Sequence, residues 1–120
     1  MGSLRGFPIP FVDSYNSAAV ALAADTANQT VIAAPGAGKQ LWIYGAALMA
    51  DTGAGTIALQ DEDDNAKTGA MPVSDEGGFV MPLSGDSSMP WFIVATNKAL
   101  EADTVTCSVA GIIVYAIVSV

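Results

Sequence analysis

Residues 39–50, Lys-Gln-Leu-Trp-Ile-Tyr-Gly-Ala-Ala-Leu-Met-Ala, constrain the fold more than any other stretch. In an extended chain successive side chains face opposite ways, so Leu41, Ile43 and Gly45 fall on one side and Trp42 and Tyr44 on the other. Both sides carry large apolar groups. That predicts a strand covered, over at least part of its length, on two faces. Beyond Gly45 the residues shrink to Ala-Ala-Leu-Met, and a Gly inside a strand marks a bulge or a close backbone approach. The expectation is a long central strand, bent in its middle, with nothing catalytic on it.

The rest of the chain supplies shorter strands around it. Val20 and Leu22 alternate with Ala over residues 17–24, and Val31 and Ile32 mark a second strand over 30–34. The turn Asp51-Thr52-Gly53-Ala54-Gly55 joins the central strand to Thr56-Ile57-Ala58-Leu59-Gln60, the pattern of a hairpin. An acidic loop, 61–65, is closed by Lys67. Residues 68–73, broken by Pro72, suit an edge strand, and 77–83 and 91–94 are further strands. Residues 97–103 turn the chain and 104–109 read as a half-exposed strand. In 111–120, Ile112, Val114, Ala116 and Val118 share one face, with Ile113, Tyr115 and Ile117 on the other. Eight to ten short strands at roughly 10-residue spacing, with no helix, predict an all-β sandwich or barrel.

Residues 1–16 differ. Leu4, Phe7, Ile9 and Phe11 are apolar while Pro8 and Pro10 hold the backbone extended, so the segment reads as an N-terminal arm on a 17–120 domain. Exposed Phe residues on a free arm are a liability. They are expected to dock on a neighbouring chain; the alternative is that the arm folds back over its own domain.

Composition excludes several functions. Apolar residues make up 52% and charged residues 13%, against about 25% charged in an ordinary soluble domain. So few charges predict a surface of small residues, part of it buried against partners. Twelve acids against four bases give a net charge of −8, which repels phosphate backbones and speaks against nucleic-acid binding. Cys107 sits in an apolar alternating run and reads as a small buried hydrophobe. The N-terminus has no apolar signal-peptide core. The apolar run 105–120 is short for a spanning helix and rich in strand formers, so no membrane partner is expected.

Sites for chemistry are absent from the pattern. There is no His, which removes imidazole bases and ligands. Gly36-Ala37-Gly38-Lys39 imitates a phosphate loop, but Ala33 and Gln40 stand where that motif needs Gly and Ser/Thr, and a strand follows. Asp61, Asp63 and Asn65 are spaced like the start of a calcium loop, yet Ala66 and Pro72 occupy its sixth and twelfth places. A solvated turn is the expectation. No enzyme activity, cofactor or metal is expected.

Several pieces in order resemble a family of small jelly-roll proteins from the structural-gene clusters of tailed bacteriophages, including head decoration (cement) proteins. They are Gly38-Lys39-Gln40-Leu41-Trp42-Ile43, Gly55-Thr56-Ile57-Ala58-Leu59, Thr68-Gly69-Ala70-Met71, Gly77-Gly78-Phe79-Val80-Met81-Pro82, Trp91-Phe92, Asn97-Lys98-Ala99-Leu100 and Gly111-Ile112-Ile113-Val114-Tyr115. The resemblance covers residues 17–120. It implies a jelly-roll β-sandwich of about eight strands, commonly a homotrimer, on the outside of a virion capsid with the major capsid protein as partner. It carries no catalytic residues. The acidic turn and the arm depart from its pattern. A tail, baseplate or fibre adaptor of the same fold is a second reading; a carbohydrate- or receptor-binding module, with Trp42 or Trp91 stacking on sugars, is a third. Leu4, Phe7, Ile9, Phe11, Trp42 and Trp91 are the candidate interface residues.

Overall fold

The computed structural model describes residues 15–120. Leu4, Phe7, Ile9 and Phe11 therefore lie outside the described residues. Within them there are nine strands and no helix: β1 (Asn16–Leu22), β2 (Gln29–Ile32), β3 (Lys39–Thr52), β4 (Gly55–Asp61), β5 (Met71–Val73), β6 (Gly78–Met81), β7 (Phe92–Val94), β8 (Leu100–Val105) and β9 (Ser108–Ser119). All pairings are antiparallel. One sheet runs β1-β9-β3-β6, with β7 also on β3, and the other runs β2-β8-β4-β5.

The sheets pack through one cluster fed by both. Val20, Leu41, Ile43, Leu48, Val109 and Ile113 of the first sheet meet Ile32, Ile57, Leu59, Val73, Leu100 and Ala102 of the second. Each large aliphatic side chain removed from water contributes about 1.5–3 kcal/mol. The cluster is what holds two otherwise separate sheets face to face. Cys107 is fully buried within it, its thiol 3.7 Å from the Thr56 carbonyl oxygen.

The central strand is where it was expected, and it is bent. Along its pairing with β9 the register steps from Ile43↔Tyr115 to Gly45↔Val114, leaving Tyr44 as an extra residue. This bulge inverts the alternation beyond it. Gly45 consequently does not share a side with Leu41 and Ile43; Ala46, Leu48 and Ala50 do. A Cβ on Gly45 would stand 3.2 Å from Leu83 Cα and the Met81 carbonyl oxygen.

Two further expectations are corrected. β3 and β4 form no hairpin: β3 pairs with β6, β7 and β9, and β4 with β5 and β8. The turn between them carries the chain from one sheet to the other. Gly53 takes a positive φ of 85°, and its N–H donates to Asp75 Oδ1 at 3.0 Å. Both strands are apolar on their inner faces, so period alone does not separate a hairpin from a crossing of this kind. Residues 97–103 are not simply a turn either, because β8 begins at Leu100. The break falls instead at Thr106, with φ 72°, and β9 starts at Ser108. The short β5, containing Pro72, lies at the sheet edge as Pro demands.

Candidate functional site

The outer surfaces of the two sheets differ in chemistry. On the first sheet, residues that alternate with the core members form registered rows across four strands. Val80 of β6 stands opposite Ala47 of β3, Ala47 opposite Ile112 of β9, and Ile112 opposite Ala19 of β1. The next row is Gly78, Met49, Ala110 and Ala21, and the row on the other side holds Gly45, Val114 and Ser17. None of these carries a charge. Val80 is 68% exposed, Met49 55% and Ile112 44%. Asp51 and Glu76 stand with Met49 and Ala110 around a shallow depression at one end of the patch.

Neighbouring backbones approach closely within this sheet. A Cβ on Gly111 would fall onto the Ala47 carbonyl oxygen, and one on Gly78 onto that of Leu48.

The second sheet shows acids outward. Glu101 and Asp103 of β8 alternate with buried Leu100, Ala102 and Thr104. Beside them lies the acidic turn. Burial pushes the Glu101 carboxyl up from its ordinary value, and the charges of Asp64, Glu62, Asp103 and Asp61 push the same way.

The turn is solvent-exposed from Glu62 to Ala66, as its composition suggested, but the carboxylate at its base is not. Asp61 is buried, and its Oδ1 accepts from the backbone N–H of Asp63 (2.8 Å) and of Asn65 (3.0 Å) while Oδ2 accepts from Asn65 Nδ2 (3.0 Å). Burial alone would raise its pKa. The bonds from Asn65 and Asp63, with the Lys67 charge, outweigh that and hold it below the usual value. Lys98, rather than Lys67, forms the ion pair with this turn, at 3.1 Å from Asp63 Oδ2. Glu62 Oε1 accepts from the Ala99 N–H at 2.7 Å. The carboxylates are thus spent on the loop's own backbone and on β8's entry. Among the described residues no three His, Cys, Asp or Glu side chains could share a metal ion.

The two Trp residues sit in different settings. Trp42 is half-buried on the outer face with Tyr44, Ala116 and Val118, and its Nε1 donates to Gln40 Oε1 at 3.1 Å. Trp91 is 51% exposed at the end of the β6–β7 loop, its Nε1–H donating to the Pro82 carbonyl at 2.8 Å. This loop folds against the bulge. The Ser84 N–H donates to the Tyr44 carbonyl at 2.9 Å, the Trp91 N–H to that of Ile43 at 2.8 Å, and the Tyr44 hydroxyl to that of Ser87 at 2.5 Å. The Tyr44 pKa rises to about 12, chiefly through burial, with smaller contributions from Tyr15 and Asp86. Leu83, Met89 and Trp91 line a cleft of about 610 Å³ in the same loop.

Sequence reasoning missed the Val80–Ala47–Ile112–Ala19 row. Ala and Gly positions give no hydrophobic signal. The rows emerge only when alternation is counted through the bulge and the strand order is known. Comparison with protein-family models, curated proteins and solved structures found no match to the chain.

Proposed function

We propose that the chain is a virion structural protein, a capsid decoration protein that binds the outer surface of a tailed-phage head and bridges major capsid subunits. The observation that carries this reading is the two-sided chemistry of the sandwich. One outer face is apolar and free of charge across four strands, with Asp51 and Glu76 at its margin; the other bears Glu101 and Asp103 beside the acidic turn. The cores of protein interfaces are depleted of charge and rimmed by polar residues. The apolar face suits subunit contact, in a homotrimer and with the capsid. The acidic face suits solvent on the outside of a particle, away from packaged DNA.

The finer fold assignment belongs to the same proposal. A jelly roll interleaves its strands so that the first, last, third and sixth share a sheet. The order β1-β9-β3-β6 against β2-β8-β4-β5 supports a jelly roll, with β6 and β7 counted as one interrupted strand along β3. On that count the strands number eight.

Electron microscopy of particles assembled with and without the protein tests the role. Added density on the head at subunit junctions is the expected result. Density confined to the tail or baseplate would transfer the protein to the adaptor reading, and none on either would reject a virion role.

A further inference from the structure

We infer that the cleft formed by Leu83, Met89 and Trp91 is the docking site for this chain's own N-terminal segment, with Phe11 or Phe7 as the inserted side chain. The argument begins where the described chain begins. Tyr15 packs edge-to-face on Tyr44, ring centroids 4.9 Å apart and planes at 75°. Tyr44 is in turn bonded to the loop that builds the cleft, through its hydroxyl to Ser87 and its carbonyl to Ser84. The described chain therefore begins beside this loop, on the outer side of the bulge.

Reach is ample. Phe11 is four residues from Tyr15 and Phe7 eight, which an extended chain can separate by up to about 14 Å and about 28 Å. Phe7, Ile9 and Phe11 fall on one side of an extended segment while Pro8 and Pro10 fall on the other. The prolines reduce the conformational freedom lost on docking.

Most of the cleft's polar side-chain atoms are already engaged, which favours an apolar occupant. Ser84 Oγ donates within the loop, to the carbonyls of Asp86 (3.1 Å) or Met89 (2.8 Å). Asp86 Oδ1 accepts from the N–H and hydroxyl of Ser88, and Trp91 Nε1–H is held by Pro82. A sugar, whose hydroxyls must each find a partner, meets few here. An aromatic side chain meets Leu83, Met89 and Trp91, which are 59%, 67% and 51% exposed. Between the chain's own arm and that of another copy, tethering favours its own, because a short linker supplies an effective concentration of order millimolar. This inference does not depend on the capsid reading.

Nuclear Overhauser contacts from the Met89 methyl group to Phe ring protons test it in the full chain. A sample mixing two differently labelled copies separates contacts within a chain from contacts between chains. Contacts within one chain are expected. Contacts only between chains, or none, would overturn the proposal. A fluorescence measurement in a Trp42→Phe background reads the same site through Trp91. Phe7→Ser with Phe11→Ser is expected to shift its emission to longer wavelength, and an unchanged spectrum would also overturn it.

Discussion

Ile43 and Ala46 both point into the core although they stand three residues apart in one strand, a spacing that regular alternation forbids. The extra residue, Tyr44, is pushed to the outer face with Gly45, and there the β6–β7 loop closes over it. The bulge thus does two things. It keeps a strand of 14 residues in contact with one core, and it places Tyr44 to hold the loop that carries Trp91.

Gly111 tests the close backbone approach between β9 and β3. A methyl group there would fall onto the Ala47 carbonyl oxygen, and the paired backbone cannot yield as a side-chain tip can. Gly111→Ala is expected to lower stability by about 2 kcal/mol or more, read as the denaturant midpoint. A change within about 0.5 kcal/mol, the range of ordinary surface substitutions, would contradict it.

How much of this was legible beforehand depended on whether a signal was local. The central strand, its bend at Gly45, and β9's two faces followed from residue order, because period and Gly act within a few residues. The β3–β4 crossing did not follow, because Asp51-Thr52-Gly53-Ala54-Gly55 serves a hairpin and a sheet change equally well. Asp61 read as solvent-facing because its composition is acidic; only the structure shows its oxygens facing Asp63 and Asn65. Thr104, similarly, looks like any alternating Thr until the β1–β2 turn is seen to close on it.

Thr104 is buried, and its hydroxyl donates to the Ala23 carbonyl at 2.7 Å while accepting from the Thr26 N–H and Gln29 Nε2, both at 3.2 Å. Thr104→Val keeps the shape and leaves these groups without their shared partner. The expected loss is about 1–3 kcal/mol in equilibrium unfolding. Thr104→Ser, which retains the hydroxyl, is expected to lose less.

Glu101 gives a pH dependence whose sign can be worked out. Burial and neighbouring acids raise its folded pKa above the unfolded value, so the folded state binds the proton more tightly. The strain is therefore present at neutral pH and relieved as pH falls through the folded pKa. Glu101→Gln is expected to raise stability at pH 7. The advantage should vanish in thermal melts below the carboxylate range. A gain that persisted there would show that charge was not its cause.

Asp61 predicts the response to calcium. Oδ1 holds two backbone N–H groups and Oδ2 the Asn65 amide, so capturing a cation would mean surrendering these bonds. Calcium at sub-millimolar concentration is expected to leave the melting temperature unchanged. A rise of several degrees would refute this, since a ligand specific to the folded state must stabilise it. Asp61→Ala, by contrast, should cost about 1–3 kcal/mol with or without calcium, because it orphans the Asp63 and Asn65 donors.

The apolar face provides the test of assembly. Met49 and Ile112 occupy adjacent rows, 55% and 44% exposed, so a lysine at either can keep its ammonium in water in the isolated chain. Met49→Lys with Ile112→Lys is expected to change folding stability by no more than about 1 kcal/mol. Against a partner the same charges must be stripped of water without an opposite charge, which costs several kcal/mol. On the proposed reading the parent is expected to sediment as a trimer and the doubly substituted protein as a monomer, and the variant's occupancy on particles should collapse. Ala58→Lys supplies the control, because Ala58 lies on β4 opposite Asp103 in the other sheet and should leave both readouts unchanged. If the face variant still forms trimers and decorates particles while the Ala58 variant fails, the two sheets have exchanged roles and the acidic side is the one that binds.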